Sequence, residues 1–260
     1  VMCMILVGIH CYFGLHVLRR GIIFIDLSLA QVASLGSSVA LLFHFEHESL
    51  GSYFISLGFT LIAAGYFSWA TKIKKHIPSE TLIALVYAFS SASVILIVNY
   101  IAHGSEHIKV ILVGKILWVT WTDVIKTGVI YSLVGIIHYI FRKKIFQSTF
   151  SNDQQRSSFW DFLFYALFGV VITSSVSIAG ILLVFTFLVV PALISINLVS
   201  SIKQQLIVGW GVGLALSFIG MIVSYLLDLP AGAVLVVVFT SVPLLVLPFC
   251  LTKLKYKPFM

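Results

Sequence analysis

Residues 21–42 read GIIFIDLSLAQVASLGSSVALL, an apolar run long enough to cross a bilayer with one carboxylate, Asp26, inside it. An ionised side chain in the hydrocarbon core is costly, and such residues face a bundle interior or a water-filled path. With successive helical residues turned by about 100°, Asp26, Ala30, Gln31, Ser34, Ser37 and Ser38 fall on one half of the wheel. Ile25, Leu29, Val32, Leu35 and Val39 fall on the other. The run predicts a spanning helix with one wet side, and a passage for something polar along Asp26, Gln31 and Ser34.

Composition agrees. Of 260 residues, 60% are hydrophobic and 10% charged, with mean hydropathy +1.11. A soluble domain carries about 25% charged residues, so this balance belongs to a polytopic membrane protein. The net charge of +7 is no nucleic-acid signal, because the basic residues sit in short clusters between apolar runs. Cys3, Cys11 and Cys250 all lie in apolar runs, which argues against a disulfide framework and for small core residues. The chain opens on Val1, so its first span is expected to be clipped and no signal peptide is read.

Apolar runs cover 1–18, 22–43, 52–71, 81–102, 119–141, 159–177, 180–199, 206–227 and 231–252. Pro191 removes a backbone donor inside the seventh. Basic clusters follow alternate runs: Arg19–Arg20, Lys72 with Lys74 and Lys75, Arg142 to Lys144, Lys203, and Lys253 with Lys255 and Lys257. The intervening loops are acidic, histidine-rich or minimal. All the basic clusters share one side if there are nine spans, with the N-terminus outside and the C-terminus cytoplasmic. Fusing two runs into one bent element gives eight. The expected fold is therefore a single all-α transmembrane domain over 1–260, a bundle of eight to nine helices. The GxxxG-type spacings at Gly209–Gly213 and Gly36–Ala40 are read as close helix packing within the chain.

Two outer loops carry metal-ligand chemistry: His44, Glu46 and His47 in the first, and His103, Glu106 and His107 in the second. Imidazole and carboxylate suit Zn²⁺ and Mn²⁺, and a cation-attracting vestibule is weighed against ordinary solvated polar loops. The HxxEH spelling at 103–107 lacks a third ligand or a soluble cleft for protease chemistry. His10, His16 and His138 lie inside apolar runs, where packing is the commoner role. Asp123 and Asp161 open helices and Asp228 ends one before Pro230, positions that suit helix termini. No phosphate-cradling GxxxxGK[ST] occurs, so the chain is not expected to be an enzyme and any ATP hydrolysis must come from a partner.

Five segments, in order, resemble the permease subunit of bacterial metal ABC importers of the zinc/manganese/iron class, the ABC-3 family. They are Leu18-Arg-Arg-Gly-Ile-Ile-Phe-Ile-Asp26, Pro78-Ser-Glu80, Leu112-Val-Gly114-Lys-Ile-Leu117, Ala179-Gly180 through Pro191-Ala192, and Ser224-Tyr225-Leu-Leu-Asp228-Leu-Pro230-Ala-Gly232. The resemblance implies a type II importer-like fold and a homodimer of permeases. It also implies two cytoplasmic ATPase subunits, an extracytoplasmic metal-binding protein, and a transported divalent metal (Zn, Mn or Fe) rather than a resident cofactor. It places ATPase coupling at Ser195, Asn197, Ser200, Lys203 and Gln204. One departure stands out: the family has His four residues after its intramembrane Asp, whereas position 30 here is Ala and Gln31 follows. A second ligand is then sought at Gln31, His10 or His16. The alternatives are a metal-chelate importer of the same architecture, a gradient-driven secondary transporter, and a non-transporting assembly factor.

Overall fold

The computed structural model describes residues 1–46, 49–70, 78–101, 104–150 and 157–251, with the side chains of Gly104, Ser105 and 246–251 left aside. The described residues form ten α-helices and no strand: α1 (Met2–Arg20), α2 (Ile25–Leu42), α3 (Leu50–Ala70), α4 (Ser79–Val98), α5 (Gly104–Val113), α6 (Trp121–Ile140), α7 (Arg142–Phe150), α8 (Ser158–Leu198), α9 (Ile202–Leu227) and α10 (Ala231–Leu251). A 3-10 turn, Ile116–Trp118, joins α5 to α6. Helices satisfy their own backbone groups, which is what lets so apolar a chain be stable in lipid. Seven of them are long and apolar enough to cross a membrane by length and composition.

Helix α8 counts once in that tally but acts as two. Its 41 residues are broken at Gly180, where φ is 73° and ψ 163°. Phe168, in the arm before the break, stacks on Phe13 of α1. Ala192, in the arm after it, lies against the neighbouring Gly14. A straight helix would hold these two residues roughly 36 Å apart, so the chain must fold back at Gly180. With α10, whose helix runs 21 residues, the apolar runs of the sequence each become a helical segment.

The hairpin of α8 is the core. Phe13, Phe164, Phe168 and Phe187 are fully buried along it. Helices α1, α2, α3, α9 and α10 pack around it. Three glycines seal its turn. Gly114, at φ 73°, and Gly180 press backbone against backbone, and Lys115 N–H donates to the Ile178 carbonyl at 2.9 Å. Gly232, at the start of α10, leaves room for the Val113 carbonyl. Three of the five family-like segments thus meet at one point, each through a glycine. The small residues at 36, 209 and 213 pack within the chain as expected: Gly36 on Ser56, Gly209 on Cys11, and Gly213 on Val7.

Two helices were not foreseen. The outer loop read at 103–109 holds the start of α5, and the long polar stretch 145–158 holds most of α7. Two polar residues of α7, Ser148 and Thr149, are buried against α1 and α8, while Arg142, Lys143, Lys144 and Gln147 are exposed. The clusters at Lys72 to Lys75 and Lys253 to Lys257 lie outside the described residues.

The dihedrals at Gly180 lie in a region that only glycine adopts readily, and an added Cβ would strike the backbone of Val113 and Gly114. Gly180→Ala should therefore cost about 3 kcal/mol or more, seen as a lower melting temperature in detergent. Gly8→Ala is the control: its Cβ would meet nothing within 4 Å, and its melting temperature should not fall.

Candidate functional site

The site is built from the turn between α1 and α2. Gly21 closes α1 in the left-handed conformation, at φ 64° and ψ 36°, with its N–H on Leu18 and that of Ile22 on Val17. Four residues later α2 begins at Ile25. Asp26 therefore sits in the first turn of the helix. The first four N–H groups of a helix have no intrahelical partner, and the positive end of the helix dipole favours an anion there. Neither carboxylate oxygen completes a hydrogen bond among the described residues.

Asp26 is 1% exposed. The two arginines that end α1 have partners of their own. Arg20 pairs with Asp161 of α8 at 2.8 Å, and also donates to Thr149 at 3.2 Å and Ser148 at 3.3 Å. Arg19 donates to Gln205 of α9. The Arg20–Asp161 contact is the one ion pair among the described residues. Asp161 is thus more than a helix-terminal residue: it anchors α8 to α1. Ser28 adds a third buried oxygen without a partner among the described residues, in the same turn of α2. Sequence reasoning passed over it, because a serine in a helix usually bonds its own backbone.

Farther along α2 the serines do so. Ser34 donates to Ala30 O and Ser38 to Ser34 O, both at 2.9 Å. Gln31 is 7% exposed. The opposite half of the helix is also buried, from Ile25 to Leu35, so α2 is enclosed on both sides by α3, α4 and α8. The wet side expected from the wheel is shut in this conformation.

At the far end of the same helix, His107 of α5 comes within 3.4 Å of Ser38 through Nε2. It is buried, so this residue belongs to the bundle and not to an open vestibule. Ser38 lies twelve residues beyond Asp26, or roughly 18 Å along the helix. His44, Glu46 and Glu106 are exposed. His47 and His103 lie outside the described residues.

The structure does not bring His10 or His16 to Asp26. His10 donates from Nδ1 to Leu6 O at 2.7 Å, and its Nε2 faces the Ser175 hydroxyl at 3.0 Å. His16 meets Thr149 at 2.9 Å and is packed among Tyr12, Phe146 and Phe164. His138 meets the Tyr12 hydroxyl at 3.1 Å. These imidazoles are polar packing residues of α1 and α6. No group of three His, Cys, Asp or Glu able to hold a metal forms among the described residues.

The turn joining α8 to α9 is exposed at Asn197, Ser200, Lys203 and Gln204. Ser195 differs from the expectation: it is fully buried, donates to Ala192 O and packs against Gly209, out of reach of a partner. Asp123 accepts from Thr120 in a capping box that opens α6, and Asp228 ends α9 in the left-handed conformation.

Residues 1–250 match the model of the ABC 3 transport family. The chain belongs to that family. A probable metal transport system membrane protein of Chlamydia muridarum is 24% identical over 233 residues, covering 86% of this ABC-3 chain and 78% of its own length. A manganese transport system membrane protein of Listeria innocua is 27% identical over 203 residues, covering 74% and 72%. A probable iron transport system membrane protein of Haemophilus influenzae is 23% identical over 238 residues, covering 90% and 82%. Among solved structures, PsaBC from Streptococcus pneumoniae in complex with Fab matches with TM-score 0.73 at 19% identity, covering 92% of this chain and 86% of the other. That likeness shows that the ABC-3 chain shares the fold. It is a multi-pass membrane protein of a metal transport family.

Two carboxylates of this ABC-3 protein, both buried, should respond oppositely to the same substitution. Asp161→Asn strips Arg20 of its counterion and should destabilise by about 3–5 kcal/mol. Asp26→Asn removes an unpaired charge and should leave stability equal or raise it by about 1 kcal/mol. Thermal melting of the purified chain in metal-free detergent checks the pair. A drop for Asp26→Asn as large as that for Asp161→Asn would mean that Asp26 has a fixed counterion.

Proposed function

We propose that the chain is the permease subunit of an ATP-driven importer for a divalent transition metal, zinc, manganese or iron, and that Asp26 compensates the cation's charge on its way through. The observation that carries this reading is a buried carboxylate with no hydrogen-bond partner among the described residues, on a helix whose polar residues line up from Asp26 through Gln31 and Ser34 toward Ser38, which meets His107 of α5. A protein retains an uncompensated buried charge at a cost, and the cost is understandable where a cation visits. Oxygen donors suit such an ion, and an incomplete ligand set lets it leave again. Ala30, where the family has imidazole, leaves Gln31 as the next polar side chain on this face.

In this reading the N-terminus faces outward and the C-terminus faces the cytoplasm. An extracytoplasmic binding protein delivers metal near the exposed His44, Glu46 and Glu106. Two permease copies form a homodimer, and cytoplasmic ATPase subunits dock on Asn197, Ser200, Lys203 and Gln204. Because Asp26 is shut inside the chain, passage requires α2 to part from one of its neighbours during the ATP cycle.

Uptake of radiolabelled manganese or zinc into proteoliposomes holding the complete complex tests the reading. Asp26→Ala should lower uptake by roughly tenfold or more, the equivalent of ~1.4 kcal/mol, with assembly unchanged. Gln31→Ala should lower it less. Undiminished uptake by the Asp26 variant would remove the carboxylate from the path.

A further inference from the structure

We propose that Gln205 and Arg19 form a latch that carries movement of the α8–α9 turn into α1 and so to the first turn of α2; this rests on the reading of that turn as the ATPase-facing segment. Gln205 lies at the start of α9 and is 3% exposed. Both ends of its amide are used. Oε1 accepts from the Arg19 guanidinium, while Nε2 donates to Val199 O at 2.7 Å and reaches Ser200 O at 3.5 Å. One buried side chain thereby ties the exposed turn to the end of α1. Only a carboxamide offers an acceptor and a donor at once from a side chain of this shape.

The neighbouring contacts make the connection stiff. Helices α1 and α9 run side by side, with Trp210 Nε1 donating to Gly8 O at 2.9 Å, Cys11 against Gly209, and Val7 against Gly213. On the other flank Arg20 is held by Asp161, Ser148 and Thr149. The end of α1 is gripped from two sides by consecutive arginines. Beyond it, Gly21 in the left-handed conformation and a short turn lead directly to Asp26. A shift of the turn that pulls on Arg19 is thus delivered a few residues from the unpaired carboxylate. The outward-facing residues of the turn, Asn197, Leu198, Ser200, Lys203 and Gln204, would receive the push, and Gln205 is its buried root. In this scheme Gln205 and Arg19 are positioning residues, touching neither metal nor nucleotide.

The complete complex in proteoliposomes separates this role from plain stabilisation, because ATP hydrolysis and radiolabelled manganese uptake are read together. In Gln205→Leu and Arg19→Met, hydrolysis should stay within about twofold of the parent while uptake falls roughly tenfold, within the range of residues that carry coupling between sites. The double variant should be no worse than either single one. Arg19→Lys, which keeps a donor, should recover part of the loss. Gln205→Glu guards against misassembly: it retains the acceptor for Arg19 and loses both bonds to the turn, so uptake should fall while α1 and α9 stay joined. Equal loss of hydrolysis and uptake, additive effects in the double variant, or an unchanged ratio in Gln205→Glu would each overturn the latch. If the parent complex shows no ATP-dependent uptake at all, the importer reading itself falls, and the latch with it.

Discussion

The buried ion pair between Arg20 and Asp161, which locks the end of α1 to the start of α8, is the constraint the rest of the fold leans on. It is buried at both ends, reinforced by Ser148 and Thr149, and it joins α1, α7 and α8 where the chain turns toward α2. Breaking such a pair leaves a charge stranded, which is far costlier than never having built it. Its neighbour Arg19 donates to Gln205. A short turn along the chain lies the Asp26 carboxylate, enclosed by helices and without a hydrogen-bond partner among the described residues, at the helix end whose dipole favours an anion.

The same economy of space governs the other side of the bundle. A chain that folds back at Gly180 needs a residue without a side chain there. The strand of backbone pressed into that bend needs another at Gly114, and the helix that follows Pro230 needs a third at Gly232. These contacts set the α8 hairpin against α1. That packing in turn places Phe168 and Ala192 on consecutive residues of one helix and Asp161 within reach of Arg20. The hairpin and the ion pair are therefore one construction: loosening the bend would shift the partner of Arg20 and alter the surroundings of Asp26.

Much of this was legible in the chain. The apolar runs became helices near their expected limits, as with 119–141 against Trp121–Ile140, because length and hydropathy are local properties. Asp26 was conspicuous as a charge in an apolar run. Its exact station was not, since Gly21 and the turn after it, not hydropathy, decide where α2 begins. The commitments of Arg20 and Arg19 could not be read, because Asp161 and Gln205 lie more than a hundred residues away along the chain. Helix α7 was hidden for a related reason: its buried polar residues look like solvent-facing ones until their partners on α1 are known. His107 seemed a loop residue and proved to be packed on Ser38, whereas His10 and His16 seemed available as ligands and proved to be occupied by Leu6, Ser175 and Thr149.

The central claim is that Asp26 stands without a protein counterion because a metal cation serves as one in passage. The most direct measurement is anomalous diffraction from crystals of the complete complex soaked in manganese and trapped with a non-hydrolysable ATP analogue. The account predicts an anomalous peak at coordination distance, about 2.0–2.6 Å, from an Asp26 oxygen. A manganese peak elsewhere in the membrane region, with Asp26 uncoordinated and paired to a side chain of the protein, would contradict it.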